Sequence, residues 1–170
     1  ATSIEAFNSP LIEYIIIIFM VVAGMNFTQH YRLLVERRPK AFFGDIEIQH
    51  YLLIILIATL AVAITLLGTG TGSDNVRASL FQVVSIITTT GFSSADFELW
   101  APFAQFVLLV LMFVGGCTGS TAGGMKTSRI VLLMRVVGRE FRRLTEPRAV
   151  FAVRFGGHAV SESTVASVLN

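Results

Sequence analysis

The sequence predicts an all-α fold embedded in a membrane: two spanning helices enclose a shorter re-entrant helix, and the second spanning helix is broken. Three observations carry this expectation. Of the 170 residues, 54% are hydrophobic and 14% charged, with mean hydropathy +0.72, whereas soluble domains carry about 25% charged residues. The apolar residues gather in runs bounded by basic clusters, the layout of spanning helices. Between two of those runs lies an apolar stretch too short to span, followed by Thr88-Thr89-Thr90-Gly91-Phe92-Ser93-Ser94, which has neither helical nor strand period.

The first run extends from Leu11 to Phe27. As one helix at ~1.5 Å per residue it covers about 26 Å, just under a ~30 Å hydrocarbon core, with Pro10 as its starting residue. A basic loop over 31–46 follows, with Arg32, Arg37, Arg38 and Lys40 against Glu36, and Pro39 is expected to break any helix running through it. The second run, Tyr51 to Leu67, is free of charge and belongs to a spanning helix placed at 47–67; Gly68 to Ser73 turns the chain after it.

Val76 to Ile87 is helix-like and apolar but contains Arg77 and Gln82, and its length suits a re-entrant pore helix. Asp74 or Asn75 is expected to cap its first turn. The filter stretch, 88–92, follows. A last helix, placed at 102–137, is interrupted by a glycine-rich tract, Gly115 to Gly124. Beyond it Arg135, Arg139, Arg142, Arg143, Arg148 and Arg154 face only Glu140 and Glu146. With both basic segments in the cytoplasm, the short connections at Asp74, Asp96 and Glu98 fall outside, as the positive-inside bias requires, and Trp100 and Phe103 sit as interfacial anchors. Glu13 is expected at the interface too.

A dehydrated cation needs several oxygens at once, and a row of backbone carbonyls supplies them without fixed charge. Thr88, Thr89, Thr90, Gly91 and Phe92 can offer that row, because Gly91 tolerates dihedrals that a Cβ disfavours. The partial negative end of the short helix before them favours a cation. Read alone, the stretch would be an ordinary polar surface loop. Its place after a short apolar helix and between two spanning helices selects the pore loop instead.

The tract Gly115, Gly116, Cys117, Thr118, Gly119, Ser120, Thr121, Ala122, Gly123, Gly124 allows more than one reading. A phosphate loop fails by one register, since Met125 separates Gly124 from Lys126, and no strand precedes it. A close helix-packing surface and an unwound segment lining a wet cavity both remain, the second favoured by poor helix propensity. Lys126 and Arg129 either snorkel to the cytoplasmic interface or bring charge beside the pore. A secondary transporter that binds substrate at the broken helix, 115–124, is the alternative function. An enzyme is not expected, because no acid/base pair, nucleophile constellation or metal spacing is present. His30, His50 and His158 receive no chemistry, and the lone Cys117 has no disulfide partner.

Thr88 to Ser93, followed by Phe113-Val114-Gly115-Gly116-Cys117-Thr118-Gly119-Ser120-Thr121-Ala122-Gly123-Gly124-Met125-Lys126, resembles the Trk/Ktr/HKT superfamily, and within it the TrkH-type potassium uptake proteins. Phe7 to Pro10 and Ala149 to Gly157 extend the likeness over nearly the whole chain. The resemblance implies a K⁺-channel-like architecture of four membrane-pore-membrane repeats around one pore, of which this chain carries the third. Residues 1–30 would close the preceding repeat, 47–137 would be one pore repeat, and 138–170 a basic cytoplasmic segment leading into the next.

By the same resemblance K⁺ is the transported ion, coordinated at Thr89 and Thr90 with Thr88 and Gly91 alongside, and Gly115 to Gly124 is a gate beneath the filter. It further implies a multi-pass protein of the cell membrane, a homodimer, and a cytoplasmic ring of nucleotide-binding regulatory subunits, with no nucleic acid and no organic cofactor. Ala1 in place of Met, no signal peptide and an uncapped apolar stretch over Ser163–Asn170 read as a fragment of a longer protein.

Overall fold

The computed structural model describes residues 3–7, 9–67, 72–145, 154–155 and 158–159. Of the turn expected over Gly68–Ser73, residues 68–71 lie outside the described residues and Gly72 and Ser73 already belong to a helix; the stretch Ser163–Asn170 and most of Ala149–Gly157 also lie outside them. Seven α-helices are described: α1 (Pro10–Ala23), α2 (Phe27–Leu34), α3 (Pro39–Phe43), α4 (Ile46–Thr65), α5 (Gly72–Ile87), α6 (Pro102–Leu111) and α7 (Thr127–Thr145). Among the described residues the fold is helical apart from a minimal hairpin, β1 (Arg154–Phe155) paired antiparallel with β2 (His158–Ala159).

α4 is the one described helix that is long and apolar enough to cross a membrane by itself. Asp45 starts it, its carboxylate accepting from the backbone N–H of Glu47 at 2.9 Å and of Ile48 at 3.2 Å, so the helix begins five residues before the apolar run does. The first run departs from expectation. It does not continue to Phe27: α1 stops at Ala23, and α2 leaves at 102° to it. Gly24 follows α1 directly, and the Asn26 side chain accepts from Thr28 N–H to begin α2, so a new helix start lies within three residues of the old end. Pro39 likewise opens the short α3 at its first turn, where a missing N–H costs nothing.

α5 begins at Gly72, earlier than expected, so Asp74 and Asn75 lie inside the helix and not at its cap. They act elsewhere. Asn75 Nδ2 donates to the Leu66 carbonyl at 2.6 Å, satisfying the end of α4, and Asp74 accepts from Arg77 at 3.0 Å. α5 is enclosed by the other helices and supplies the deepest core: Phe81, Val83, Val84 and Ile87 are all fully buried. α4, by contrast, turns Leu53, Leu56, Ile57, Leu60 and Ile64 outward, a surface that suits lipid or further helices and would be an aggregation hazard in water. Glu13, expected at the interface, is instead buried against Arg77.

Candidate functional site: the threonine-glycine loop and the broken helix beneath it

α5 ends at Ile87, and the chain leaves it through a series of tight local bonds. Thr89 N–H donates to Ile86 O at 2.9 Å, Thr90 N–H to Ser85 O at 2.9 Å, and Gly91 N–H to the same Ser85 oxygen at 3.3 Å. Ser85 also donates its hydroxyl to Phe92 O at 2.6 Å. Thr88 is buried and its hydroxyl donates to Val84 O at 2.7 Å, while it lies 2.8 Å from the Thr90 hydroxyl. Thr89, Thr90, Gly91 and Phe92 are exposed.

Two residues of this stretch are left-handed: Thr89 at φ +55° and Gly91 at φ +79°. For Gly91 that conformation is free, and a Cβ there would meet nothing within 4 Å. For a β-branched threonine it is strained. A contact from outside the loop accompanies the strain: Thr89 Oγ1 accepts the backbone N–H of Gly123 at 2.8 Å. The glycine tract therefore reaches the threonine loop directly.

Between α6 and α7 the chain is unwound. It enters and leaves the unwound segment at one place, where Gly115 N–H donates to Met125 O at 2.9 Å, Met125 N–H to Phe113 O at 3.1 Å, and Thr127 N–H to Gly116 O at 3.1 Å. Glycine is required at this neck, since a Cβ on Gly115 would lie 1.9 Å from the Gly123 carbonyl oxygen. The loop beyond the neck fills the corner between α1 and α2. Cys117 N–H donates to Gly24 O at 2.9 Å, Thr121 uses both its N–H and its hydroxyl on Ala23 O, and Phe27 N–H returns a bond to Gly119 O at 3.1 Å. The bend at Gly24 thus frees carbonyls that the tract occupies, and a Cβ on Gly24 would lie 2.2 Å from the Tyr51 hydroxyl.

Glu47, in the first turn of α4, is buried at 8% exposure. One of its carboxylate oxygens accepts Thr118 N–H at 2.6 Å, the Thr118 hydroxyl at 2.9 Å and Ser128 N–H at 3.1 Å. Lys126 donates its ammonium group to the Ala122 carbonyl, turned into the tract, whereas Arg129 is exposed. Ser120 donates to Cys117 O at 2.6 Å, within the loop.

The structure thus brings together the predicted residues 88–92, 115–124 and Lys126, and leaves Arg129 outside the cluster. Glu47, Gly24 and Asn26 were not anticipated. Asn26 had a readable sign, since glycine marks a helix end and an Asn soon after it, directly before an apolar residue, marks a new start; Glu47 had none. Beyond Gly91 the chain borders an open cleft of about 520 Å³ lined by residues that include Glu13, Asp74, Arg77, Ser94 and Asp96.

Comparison with known proteins decides the family. The family model described as TrkH, cation transport protein, matches residues 1–169. The chain belongs to the TrkH family. A curated TrkH relative from Halomonas elongata, named a Trk system potassium uptake protein, is 39% identical over 98% of this chain and 35% of its own length. The TrkH protein of Escherichia coli K12 is 35% identical over the same shares of the two chains. The crystal structure of the potassium transporter TrkH from Vibrio parahaemolyticus superposes with a TM-score of 0.93 at 36% identity, covering 99% of this chain and 37% of that one. The chain thus spans about a third of the length of its TrkH relatives, and these are named as transporters and not as enzymes.

Proposed function

We propose that this chain contributes one pore repeat, the third, to a K⁺ uptake protein of the plasma membrane, with residues 88–92 as its share of the ion filter and 115–124 as the gate beneath it. The observation that carries the reading is the conformation of the threonine-glycine loop at the end of α5. Thr89 and Gly91 have positive φ, and they alternate with Thr88 and Thr90, which do not. That alternation is the stereochemical route by which consecutive carbonyls of one strand turn to the same side, as a cation filter needs.

Three further features support it. The loop is exposed on the molecule's open face, where other repeats of a longer polypeptide would close the pore. It begins at the C-terminal end of α5, whose partial negative charge favours a cation. The cleft beyond it carries three carboxylates, Glu13, Asp74 and Asp96, against one guanidinium, a balance that concentrates cations. Relatives named potassium uptake proteins supply the choice of K⁺. A homodimer in the lipid bilayer and a cytoplasmic ring of nucleotide-binding subunits remain part of the proposal through the family resemblance.

The unwound tract is read as the gate because Gly123 donates to Thr89, so the loop cannot move without changing its contact with the filter. The test is ⁸⁶Rb⁺ and Na⁺ uptake by the full-length parent in cells without their own K⁺ uptake, comparing wild type with Gly91→Ser at matched membrane expression. Loss of Rb⁺ uptake or a shift toward Na⁺ is expected. Unchanged uptake and selectivity would remove residues 88–92 from the ion path.

A further inference from the structure

We propose that Glu47 is the positioning residue that holds the glycine loop in its resting place, so that its negative charge sets how often the gate opens. The inference rests on the gate reading of residues 115–124. It adds to that reading a residue outside both the loop and the filter, 71 positions away from its main partner in sequence.

The geometry separates Glu47 from the contacts that the loop makes with α1 and with the threonine loop. The bonds from Cys117 and Thr121 to Ala23 and Gly24, and from Gly123 to Thr89, join neutral groups. Those to Glu47 end on a carboxylate, and charge-assisted hydrogen bonds are roughly twice as strong as neutral ones. A single oxygen gathers donors from two segments that a moving loop must separate or carry along: Thr118 within the tract and Ser128 in the first turn of α7. The Thr118 and Ser128 hydroxyls, 2.7 Å apart, complete a closed triangle around that oxygen.

A buried carboxylate needs compensation. Among the described residues its hydrogen-bond partners are neutral N–H and hydroxyl groups, and the compensating field comes from two helix N-termini, those of α4 and α7, which both favour negative charge. The arrangement is therefore a charge between two helix ends, and it is complete only while Thr118 stays beside Ser128. Lifting the loop breaks the two Thr118 bonds and leaves Glu47 with Ser128 alone.

Glu47→Gln keeps the shape and a carbonyl acceptor while removing the charge. The resting state should lose preference over the open one by about tenfold, the effect of removing one charged hydrogen-bond acceptor. The experiment uses the full-length protein reconstituted in planar bilayers, with open probability and K⁺/Na⁺ selectivity recorded for wild type, Glu47→Gln, Thr118→Val and the double variant. The rate at which a maleimide labels Cys117, which is fully buried in the loop at rest, is followed by peptide mass spectrometry.

Expected is a rise of about tenfold in both open probability and Cys117 labelling for Glu47→Gln, unchanged selectivity, and a double variant no more open than Glu47→Gln alone. If Glu47→Gln does not fold, Thr118→Val carries the same expectation with a smaller rise. Normal open probability in a folded variant overturns the proposal, whether or not labelling increases, as does strict additivity in the double variant. Gly91→Ser, run in parallel, separates the two readings: if it leaves permeation untouched the pore assignment itself fails, whereas an altered Gly91→Ser beside an unaltered Glu47→Gln removes Glu47 alone.

Discussion

Glu13 of α1 and Arg77 of α5 meet at 2.7 Å, with side chains only 11% and 20% exposed, and Asp74 holds the same guanidinium at 3.0 Å. The pair ties the helix that carries the threonine-glycine loop to the helix on which the glycine tract rests. Breaking a buried pair from one side strands a charge. Arg77→Leu should therefore destabilise the full-length protein by about 3 kcal/mol, seen as a lower thermal midpoint in detergent, while Glu13→Gln combined with Arg77→Gln should recover much of the loss. A single variant no worse than the double would show that the pair is a surface contact.

Gly115 and Gly91 should respond to alanine in different ways. At Gly115 the new Cβ would fall 1.9 Å from the Gly123 carbonyl oxygen, with Gly124 beside it, so the neck of the tract must open. Gly115→Ala should cost about 3 kcal/mol as an overpacked backbone contact and release Cys117 to labelling. Gly91→Ala meets no atom within 4 Å and bears only the left-handed backbone, about 1 kcal/mol. It should fold normally and change ion flux alone, which thermal melts and Rb⁺ uptake on the same preparations will separate.

The bend after α1 makes a compensating pair possible. A Cβ on Gly24 would press on the Tyr51 hydroxyl at 2.2 Å, and Tyr51 is fully buried with that hydroxyl donating to Val21 O at 3.3 Å. Gly24→Ala should lower the yield of folded protein, and Tyr51→Phe should restore part of it by removing the clashing oxygen. Rescue should be incomplete, because the ring carbon at 3.0 Å and Thr88 at 2.9 Å stay in the way.

Thr89→Val removes the acceptor for Gly123 N–H at nearly constant volume. Losing a neutral hydrogen bond of about 1 kcal/mol should shift the loop toward release by about fivefold. Open probability should rise without loss of folded protein. A matching rise in Thr89→Ser, which keeps the hydroxyl, would argue that the β-branch and not the bond holds the loop.

Much of the candidate site could be read from local pattern. The threonine-glycine stretch stands out because it follows an apolar helix too short to span, and the tract 115–124 because five glycines and three hydroxyl residues interrupt an apolar run. Gly91 was legible as a left-handed position, since glycine alone adopts it without strain. Thr89 was not. Its φ of +55° contradicts the preference of its side chain, and its Oγ1 is held by Gly123, 34 positions away.

Lysine 126 and the first run mark the same boundary. Lys126 could have snorkelled or faced the pore; it turns to the Ala122 carbonyl instead, an acceptor available only because the tract folds back on itself. The apolar run Leu11 to Phe27 has the composition of one helix, and composition is all that a run displays. Gly24 ends the helix there because the tract supplies donors to Ala23 and Gly24.

The sequence by itself determined the all-helical membrane class, the threonine-glycine loop at the end of a helix and the interruption of the last helix by the glycine tract. These follow from composition and period over a dozen neighbouring residues, and such signals survive without knowledge of the rest of the chain. Only the tertiary structure decided that Glu13 is buried against Arg77, that Glu47 anchors the tract, and that the tract touches Thr89. Each of these joins residues 34 to 71 positions apart, and a charged or polar side chain looks the same in sequence whether water or a distant segment will satisfy it.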